Sequence, residues 1–235
     1  MISLVVPVMN RSDRIIPCLK TWINIPEITE IIIVDWSSTI PIKNDPTLQA
    51  ITNNPKIKII RVQNEQYFMS MSFSLNVGIN HSTKPNIIKC DIDYQLIDKS
   101  LINYLITQKT EQNFLCGMYK YSTHFHGFAY FSKHQSNTIN GYNEIIKGWG
   151  WDDEDFYRRL EKANYNRIEI QNIQDYIFHI PHDDNLRTIN YPPDQQNRTD
   201  TIIKNMKNTK DALLSTSNYE TLFEDSHYKI IKRLT

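Results

Sequence analysis

Cysteine is scarce in this chain. There are three in 235 residues, Cys18, Cys90 and Cys116, an odd number at wide spacing. That usage fits neither a disulfide framework nor a paired-Cys metal site, and reduced thiols in a cytoplasmic protein are its simplest account. Glycine is sparse as well, at six residues. None of them forms G-x-x-x-x-G-K-[ST], or G-x-G-x-x-G after a strand, which removes the common kinase, NTPase and dehydrogenase phosphate loops. Charge of one sign is missing: 26 basic residues balance 26 acidic ones, so nothing argues for bulk nucleic-acid affinity. No apolar run reaches the ~18 residues of a membrane span. The apolar start, residues 2–8, lacks a basic leader and reads as a strand rather than a signal peptide. With no internal repeat and no linker, one domain over residues 1–235 is expected.

What is present is a β-α repeat. Continuous β-branched runs predict buried strands at residues 2–8, 30–36, 57–62 and 86–92, with helical spacing at 15–23, 70–79 and around Leu101 and Leu105. The pattern predicts an α/β fold with a mixed, mostly parallel central sheet flanked by helices. Such sheets bind ligands at the carboxyl ends of their strands, where Arg11, Asp35 and Asp93 all fall. The second half reads as strands at 114–121, 127–132, 167–173 and 176–180. Residues 183–199, with Pro192-Pro193 and no periodicity, read as a long loop of the kind that serves as a lid, and 201–214 as a helix.

The chemistry concentrates in Gly148-Trp149-Gly150-Trp151-Asp152-Asp153-Glu154-Asp155. Phe156, Leu160 and Ala163 follow at one-face helical spacing, so four acids crowd the first turn of a helix. Helix capping accounts for one or two of them. Repulsion among the rest raises some of their pKa values and suits a general base, and a neighbouring indole offers a stacking face for a sugar or a base. Asp91-Ile92-Asp93 is by itself a weak signal, common in turns. It gains weight from His179-Ile180-Pro181-His182, because imidazole and carboxylate together suit a borderline divalent cation such as Mn²⁺. A lone histidine would be read as an ordinary buried or exposed residue. A cation at such an edge suggests a diphosphate ligand, whose departing charge it neutralises.

Several stretches together resemble the β-1,4-galactosyltransferases, which have the GT-A (nucleotide-diphospho-sugar transferase) fold. Pro7-Val8-Met9-Asn10-Arg11 is similar to that family's Pro-Phe-Arg-Asn-Arg, with Met9 in place of a basic residue. Leu75-Asn76-Val77-Gly78-Ile79 is similar to Leu-Asn-Val-Gly-Phe, and Asp91-Ile92-Asp93 to its Asp-x-Asp. Ser132-Lys133-His134-Gln135 and Thr138-Ile139-Asn140-Gly141-Tyr142 resemble its Ser-Lys-x-x and Ile-Asn-Gly-Phe segment, and residues 148–160 its Gly-Trp-Gly-Gly-Glu-Asp-Asp-Asp stretch. The resemblance runs in order over residues 2–185. It implies that Arg11 and Asp35 contact the nucleotide, Asp91 the ribose or sugar, and Asp93 the metal. It implies His182 as a metal ligand, with His179 where a relative supplies a second one. Asp153 takes the place of the catalytic base, and Trp149 and Asp152 those of residues meeting donor and acceptor. Trp151 replaces a glycine beside the acceptor site, and His124 stands where the family discriminates the donor's 2-substituent. On this reading residues 1–95 are a nucleotide-binding half, 96–185 an acceptor and metal half, and 186–235 a lid with a C-terminal helical extension. No membrane anchor or stem is seen, as expected for a soluble cytoplasmic enzyme.

The expectation is therefore a metal-dependent inverting glycosyltransferase. It would move a hexose or N-acetylhexosamine from a UDP-sugar to a saccharide or glycoconjugate hydroxyl, with Mn²⁺ or another divalent cation. Rival readings are a catalytically silent carbohydrate- or nucleotide-sugar-binding protein and a retaining or hydrolytic relative. A zinc hydrolase built on His-x-x-His lacks the glutamate of His-Glu-x-x-His.

Overall fold

The computed structural model of the chain describes residues 1–63, 69–117, 123–183, 185–210 and 218–234. In order, the elements are β1 (Ile2–Val8), α1 (Ser12–Trp22), β2 (Ile28–Trp36), α2 (Gln49–Thr52), β3 (Ile57–Gln63), α3 (Met71–His81), β4 (Asn86–Lys89), β5 (Tyr94–Leu96) and α4 (Ser100–Gln108). Next come β6 (Asn113–Gly117), β7 (Ala129–Ser132), α5 (Lys133–Thr138), α6 (Asp152–Lys162), β8 (Asn166–Ile170) and β9 (Ile177–His179). The chain ends with α7 (Asn185–Thr188), α8 (Arg198–Asn208), β10 (Tyr219–Glu224) and β11 (Tyr228–Arg233).

Nine strands form one sheet in the order β10-β11-β3-β2-β1-β4-β7-β6-β8. β1 pairs in parallel with β2 and β4, β3 with β2 and β11, and β6 with β8; β10/β11, β4/β7 and β6/β7 run antiparallel. The sheet is mixed and mostly parallel, with helices on its faces. β1 lies at its middle with all seven residues buried, which is why it reads as an unbroken apolar run rather than an alternation. Its side chains still divide by the two-residue period. Leu4, Val6 and Val8 join the core with Trp22 and Phe128 on one face, and Val5 joins Leu75 and Phe156 on the other.

α3 is buried from Ser72 to Ile79. It can lie this close to the sheet because residue 78 has no side chain: a Cβ there would sit 2.4 Å from Val5 Cγ1 and 3.2 Å from Val34 Cγ2. The predicted cap Ser70 sits at the N-cap position, but its side chain makes no capping bond.

The structure corrects three expectations, and two more run past the described residues. β4 ends at Lys89, so Asp91 and Asp93 lie in the turn beyond the strand, and residues 94–96 start a separate two-stranded sheet with β9. Residues 183–199 are not an open loop, since they contain α7 and a 3-10 turn at Pro193–Gln195; Asp184 lies outside the described residues. The expected strand 114–121 is described only to Gly117, and residues 118–121 lie outside the described residues, as do 211–214 of the expected helix 201–214. Among the described residues, the C-terminal extension has its helices in α7 and α8. Residues 219–233 form a hairpin whose second strand adds to the main sheet beside β3. No helix among the described residues is long and apolar enough to cross a membrane.

Gly78→Ala tests the α3 contact. Alanine improves helix propensity by about 1 kcal/mol, while overpacking a closed core costs about 1–3 kcal/mol. A 2.4 Å approach to a β-branched side chain in a central strand favours the second effect. We expect net destabilisation, read from the midpoint of urea unfolding; a midpoint equal to or above wild type would show that the sheet yields.

Candidate active site

The two-stranded sheet assembles a cluster of metal-competent side chains. β5 begins one residue after Asp93 and pairs antiparallel with β9, placing Tyr94 opposite His179. The Ile180 amide donates to the Asp93 carbonyl at 2.8 Å. That register brings His179, and three residues later His182, to the Asp93 carboxylate, and ligand atoms of all three lie within 4.8 Å of one another. His182 Nε2 is 3.2 Å from Asp93 Oδ2. Its Nδ1 lies 3.0 Å from the Asp183 carbonyl. A carbonyl only accepts, so this contact suits a proton on Nδ1, the tautomer that would turn the Nε2 lone pair toward a cation beside Asp93.

Asp93 Oδ1 is buried without a hydrogen-bond partner, and the nearest cation, Arg11 Nη1, is 3.8 Å away. Burial pushes the Asp93 carboxyl above its ordinary value, against the pull of Arg11 and His182. An unsatisfied buried carboxylate beside two imidazoles fits a borderline divalent ion. The His124 ring stacks on His179 with centroids 5.0 Å apart. Together with Phe178, Pro181 and His182 these rings wall a cleft of about 380 Å³.

The four acids of α6 separate into two pairs. Trp151 occupies the N-cap without a side-chain cap, so none of the acids is itself the capping residue. Asp155 binds Arg159 at 2.7 Å, and Arg159 also donates to the carbonyls of Ile139 and Gly141. Glu154 binds Arg158 at 2.7 Å and Arg167 at 2.9 Å. Those two acids hold the helix in place. Asp152 and Asp153 face the sheet edge instead, and Asp153 Oδ2 lies 3.2 Å from Lys89 Nζ. Asp153 Oδ1 accepts from the Tyr142 hydroxyl at 3.4 Å. Lys89 Nζ also meets Asp91 Oδ1 at 2.9 Å, so Asp91, expected to touch ribose or sugar, is engaged by a lysine here.

Burial would depress the Lys89 ammonium, but Asp153 and then Asp91 outweigh it and hold the pKa above the ordinary lysine value. Burial first, then the Asp153 charge, pushes Asp152 up to about 7, against the opposing effect of Lys89. Burial, with the neighbouring Asp153 charge adding to it, therefore brings one of the four acids toward neutrality. It is Asp152, whereas the resemblance points to Asp153 as the base.

The remaining expected residues spread more widely. Arg11 reaches from the end of β1 toward Asp93 and donates to the Leu186 carbonyl in α7. Asp35 is fully buried. Its carboxylate accepts from the Ser38 amide at 3.0 Å, the Ile42 amide at 3.2 Å and Arg61 at 2.7 Å, so it organises the loop after β2 and has no exposed oxygen for a nucleotide. Trp149 has Arg198 over its ring at 4.1 Å. Trp151 has Arg158 over its ring at 4.7 Å and donates its indole N–H to Thr209 at 2.9 Å. One face of each indole is thus already covered.

Sequence reasoning missed Lys89, Tyr142 and Tyr191. Tyr191 is buried, and its phenol is raised by burial and then by Asp152 and Asp91. The one available signal was Lys89 itself, a charge closing an apolar strand that is buried on both faces and hence in need of a buried partner.

A family model described as the N-terminal domain of galactosyltransferase matches residues 110–183. That span contains α6, β9 and both histidines of the Asp93 cluster. A search of the curated proteins finds no match. Among solved structures, the catalytic domain of Drosophila β1,4-galactosyltransferase 7 in complex with xylobiose superposes with a TM-score of 0.65 at 16% identity, covering 99% of this chain and 93% of that one. The chain has the β-1,4-galactosyltransferase-like GT-A fold. A mutant of the same Drosophila enzyme, in complex with manganese, UDP-Gal and xylobiose, superposes at 0.64. The mannosyltransferase PcManGT of Pyrobaculum calidifontis, in complex with GDP-Man and Mn²⁺, superposes at 0.58 with 17% identity, over 73% of this chain and 55% of that one. In a galactosyltransferase-like sheet, the Asp93 cluster and the start of α6 occupy the carboxyl edge where ligands gather.

The cluster makes a direct prediction. Mn²⁺ titrated by calorimetry should bind the wild-type chain, and Asp93→Asn or His182→Ala should each weaken it by on the order of 10²-fold, the upper end of the 10–100-fold typical of a lost supporting contact. Unchanged affinity in either variant would remove that residue from the ligand set.

Proposed function

We propose that the protein is a metal-dependent inverting glycosyltransferase, moving a hexose or N-acetylhexosamine from a UDP-sugar to a hydroxyl of a saccharide or glycoconjugate. The observation that carries this reading is the convergence of the Asp93, His179 and His182 cluster and the Asp152–Asp153 pair at the carboxyl edge of one sheet. The Drosophila enzyme crystallised with UDP-Gal, manganese and xylobiose lends support through its shared fold.

Asp93, His182 and His179 would hold a divalent cation, which when bound supplies charge neutralisation for a leaving diphosphate. Arg11, next to Asp93, offers a guanidinium to the same phosphates. Asp153 acts as general base. The acceptor hydroxyl loses its proton to a carboxylate oxygen while its own oxygen forms the new bond to the anomeric carbon. The bond from that carbon to the diphosphate breaks on the opposite side, and its electron pair leaves with UDP. Asp152, titrating near 7, can still carry a proton at neutral pH and so donate a hydrogen bond to a sugar oxygen. Two neighbouring carboxyls with different partners divide the work in this way.

A silent sugar-binding protein with this pocket would bind UDP-sugar without releasing UDP. A hydrolytic relative would release UDP equally with or without acceptor. Scoring UDP release across sugar nucleotides, with and without Mn²⁺ and acceptor saccharides, separates the three.

The two acids give opposite expectations on substitution. Asp153→Asn removes the base but keeps the shape, so transfer should fall by on the order of 10²–10⁴ while donor binding persists. Asp152→Asn keeps a hydrogen-bond donor and should mainly raise the acceptor KM. If the larger loss in kcat falls on Asp152→Asn, the base has been assigned to the wrong carboxylate.

A further inference from the structure

We infer that Lys89 is a positioning residue for the transfer reaction. Its ammonium fixes Asp153 through Oδ2 and leaves Oδ1 as the oxygen that takes the acceptor's proton. This rests on the glycosyltransferase reading above and goes beyond it, since nothing in the family resemblance gives this lysine a role.

The geometry argues for a built feature. The Lys89 side chain is 2% exposed, although lysine ordinarily keeps its charge in water. It projects from the end of β4, held between β1 and β7 near the middle of the sheet, so its base is rigid. Its Nζ spans Asp91 Oδ1 at 2.9 Å and Asp153 Oδ2 at 3.2 Å, tying the turn that carries Asp93 to the first turn of α6. Gly127 closes the far side. A Cβ there would lie 2.5 Å from Asp91 Oδ2, 2.8 Å from Lys89 Nζ and 3.3 Å from Asp153 Oδ2. The backbone therefore packs directly onto the three charged groups, and the carboxylates cannot swing that way. Among the described residues, the other Asp153 oxygen has only the 3.4 Å Tyr142 contact, a distance at the weak limit of hydrogen bonding.

The groups facing Asp153 are Lys89 from β4, Asp91 from the turn after it, Asp152 from its own helix, Tyr94 from β5 and Cys116 from β6. Tyr142, Tyr157, His126 and Tyr191 complete the surroundings. Removing Lys89 takes a cation away from a carboxylate crowded by other carboxylates. That disfavours the charged base, so the base must be deprotonated at higher pH and the acid limb of activity moves upward.

Lys89→Met preserves the stem and the packing volume and deletes the charge. We expect kcat/KM to fall tenfold to a hundredfold, with its acid limb displaced upward by about one pH unit, while Mn²⁺ and UDP affinities stay within about threefold. A purely structural role for Lys89 would lower stability without moving the pH profile. Should the two acids left facing each other prevent folding, Lys89→Met combined with Asp91→Asn removes that repulsion and is read the same way. A rate within threefold of wild type with a superimposable pH profile overturns the inference. If the wild-type chain transfers from no UDP-sugar, the glycosyltransferase reading fails, and the Lys89 inference is judged from a crystal structure of Lys89→Met. An Asp153 carboxylate moved to a new rotamer supports it, and one unmoved overturns it.

Discussion

The Asn76 side chain joins the two halves of the molecule on which the site depends. Its Nδ2 donates to the Tyr142 carbonyl and to Glu144 Oε1, both at 2.8 Å, and its Oδ1 accepts from the Tyr142 amide at 2.6 Å. An amide fully used in this way inside a buried helix sets both the position and the direction of the segment it grips. The turn before Tyr142 needs the positive φ of Gly141, where a Cβ would sit 2.4 Å from Asn76 Oδ1. Two of the resembling stretches, residues 75–79 and 138–142, are thus halves of one clamp. The clamp delivers Tyr142, whose ring stacks on Phe156 at 4.1 Å and 8° and whose hydroxyl reaches Asp153. Helix α6 is aligned on the core through that ring before any of its acids meets a ligand.

Charge sets the second constraint. Asp35, Lys89 and Asp93 are all buried ionisable groups at one end of the strands, and a buried charge is tolerated only when paired or bound to metal. The three meet this differently. Asp35 is satisfied by two amides and Arg61, and becomes part of the framework. Lys89 is satisfied by two acids. Asp93 keeps one oxygen without a hydrogen bond. Of the three, Asp93 is the one with an oxygen and two neighbouring imidazoles left for a cation.

Much of this was legible in the residues, for physical reasons that differ between elements. β1 to β3 and the start of β4 read well because buried parallel strands are continuous apolar runs, and the Asp93, His179 and His182 grouping could be picked out because metal-competent donors are of few chemical types. What failed depended on long-range packing. Lys89 read as one more residue inside the strand 86–92, whereas it ends β4 and its Nζ meets Asp153, 64 positions later. Asp35 looked like a ligand residue because it ends a strand, yet Arg61 from the neighbouring strand claims it. The C-terminal hairpin escaped notice because β10 is almost wholly exposed and β11 buries only Lys229 and Ile231; a short edge strand carries little apolar pattern for a sequence to show.

The glycine-tryptophan loop shows how the C-terminal part contributes to the same site. Trp151 adopts φ +78°, a conformation costly for any residue with a bulky side chain, at the position where the resembling family carries glycine. Such strain persists only when surrounding contacts over-determine it, and α8 provides them. Asn205 donates to the carbonyls of Lys147 and Gly150 and accepts from the Lys147 amide, Thr201 donates to the Trp149 carbonyl, and Thr209 takes the Trp151 indole N–H. At Gly148 and Gly150 an added Cβ would lie 2.9 Å from Gln195 and Ile202 respectively, so the loop and this segment are packed to contact. Residues 186–210 therefore act as a buttress: they hold the left-handed turn that starts α6 and, through it, fix where Asp152 and Asp153 enter the sheet edge.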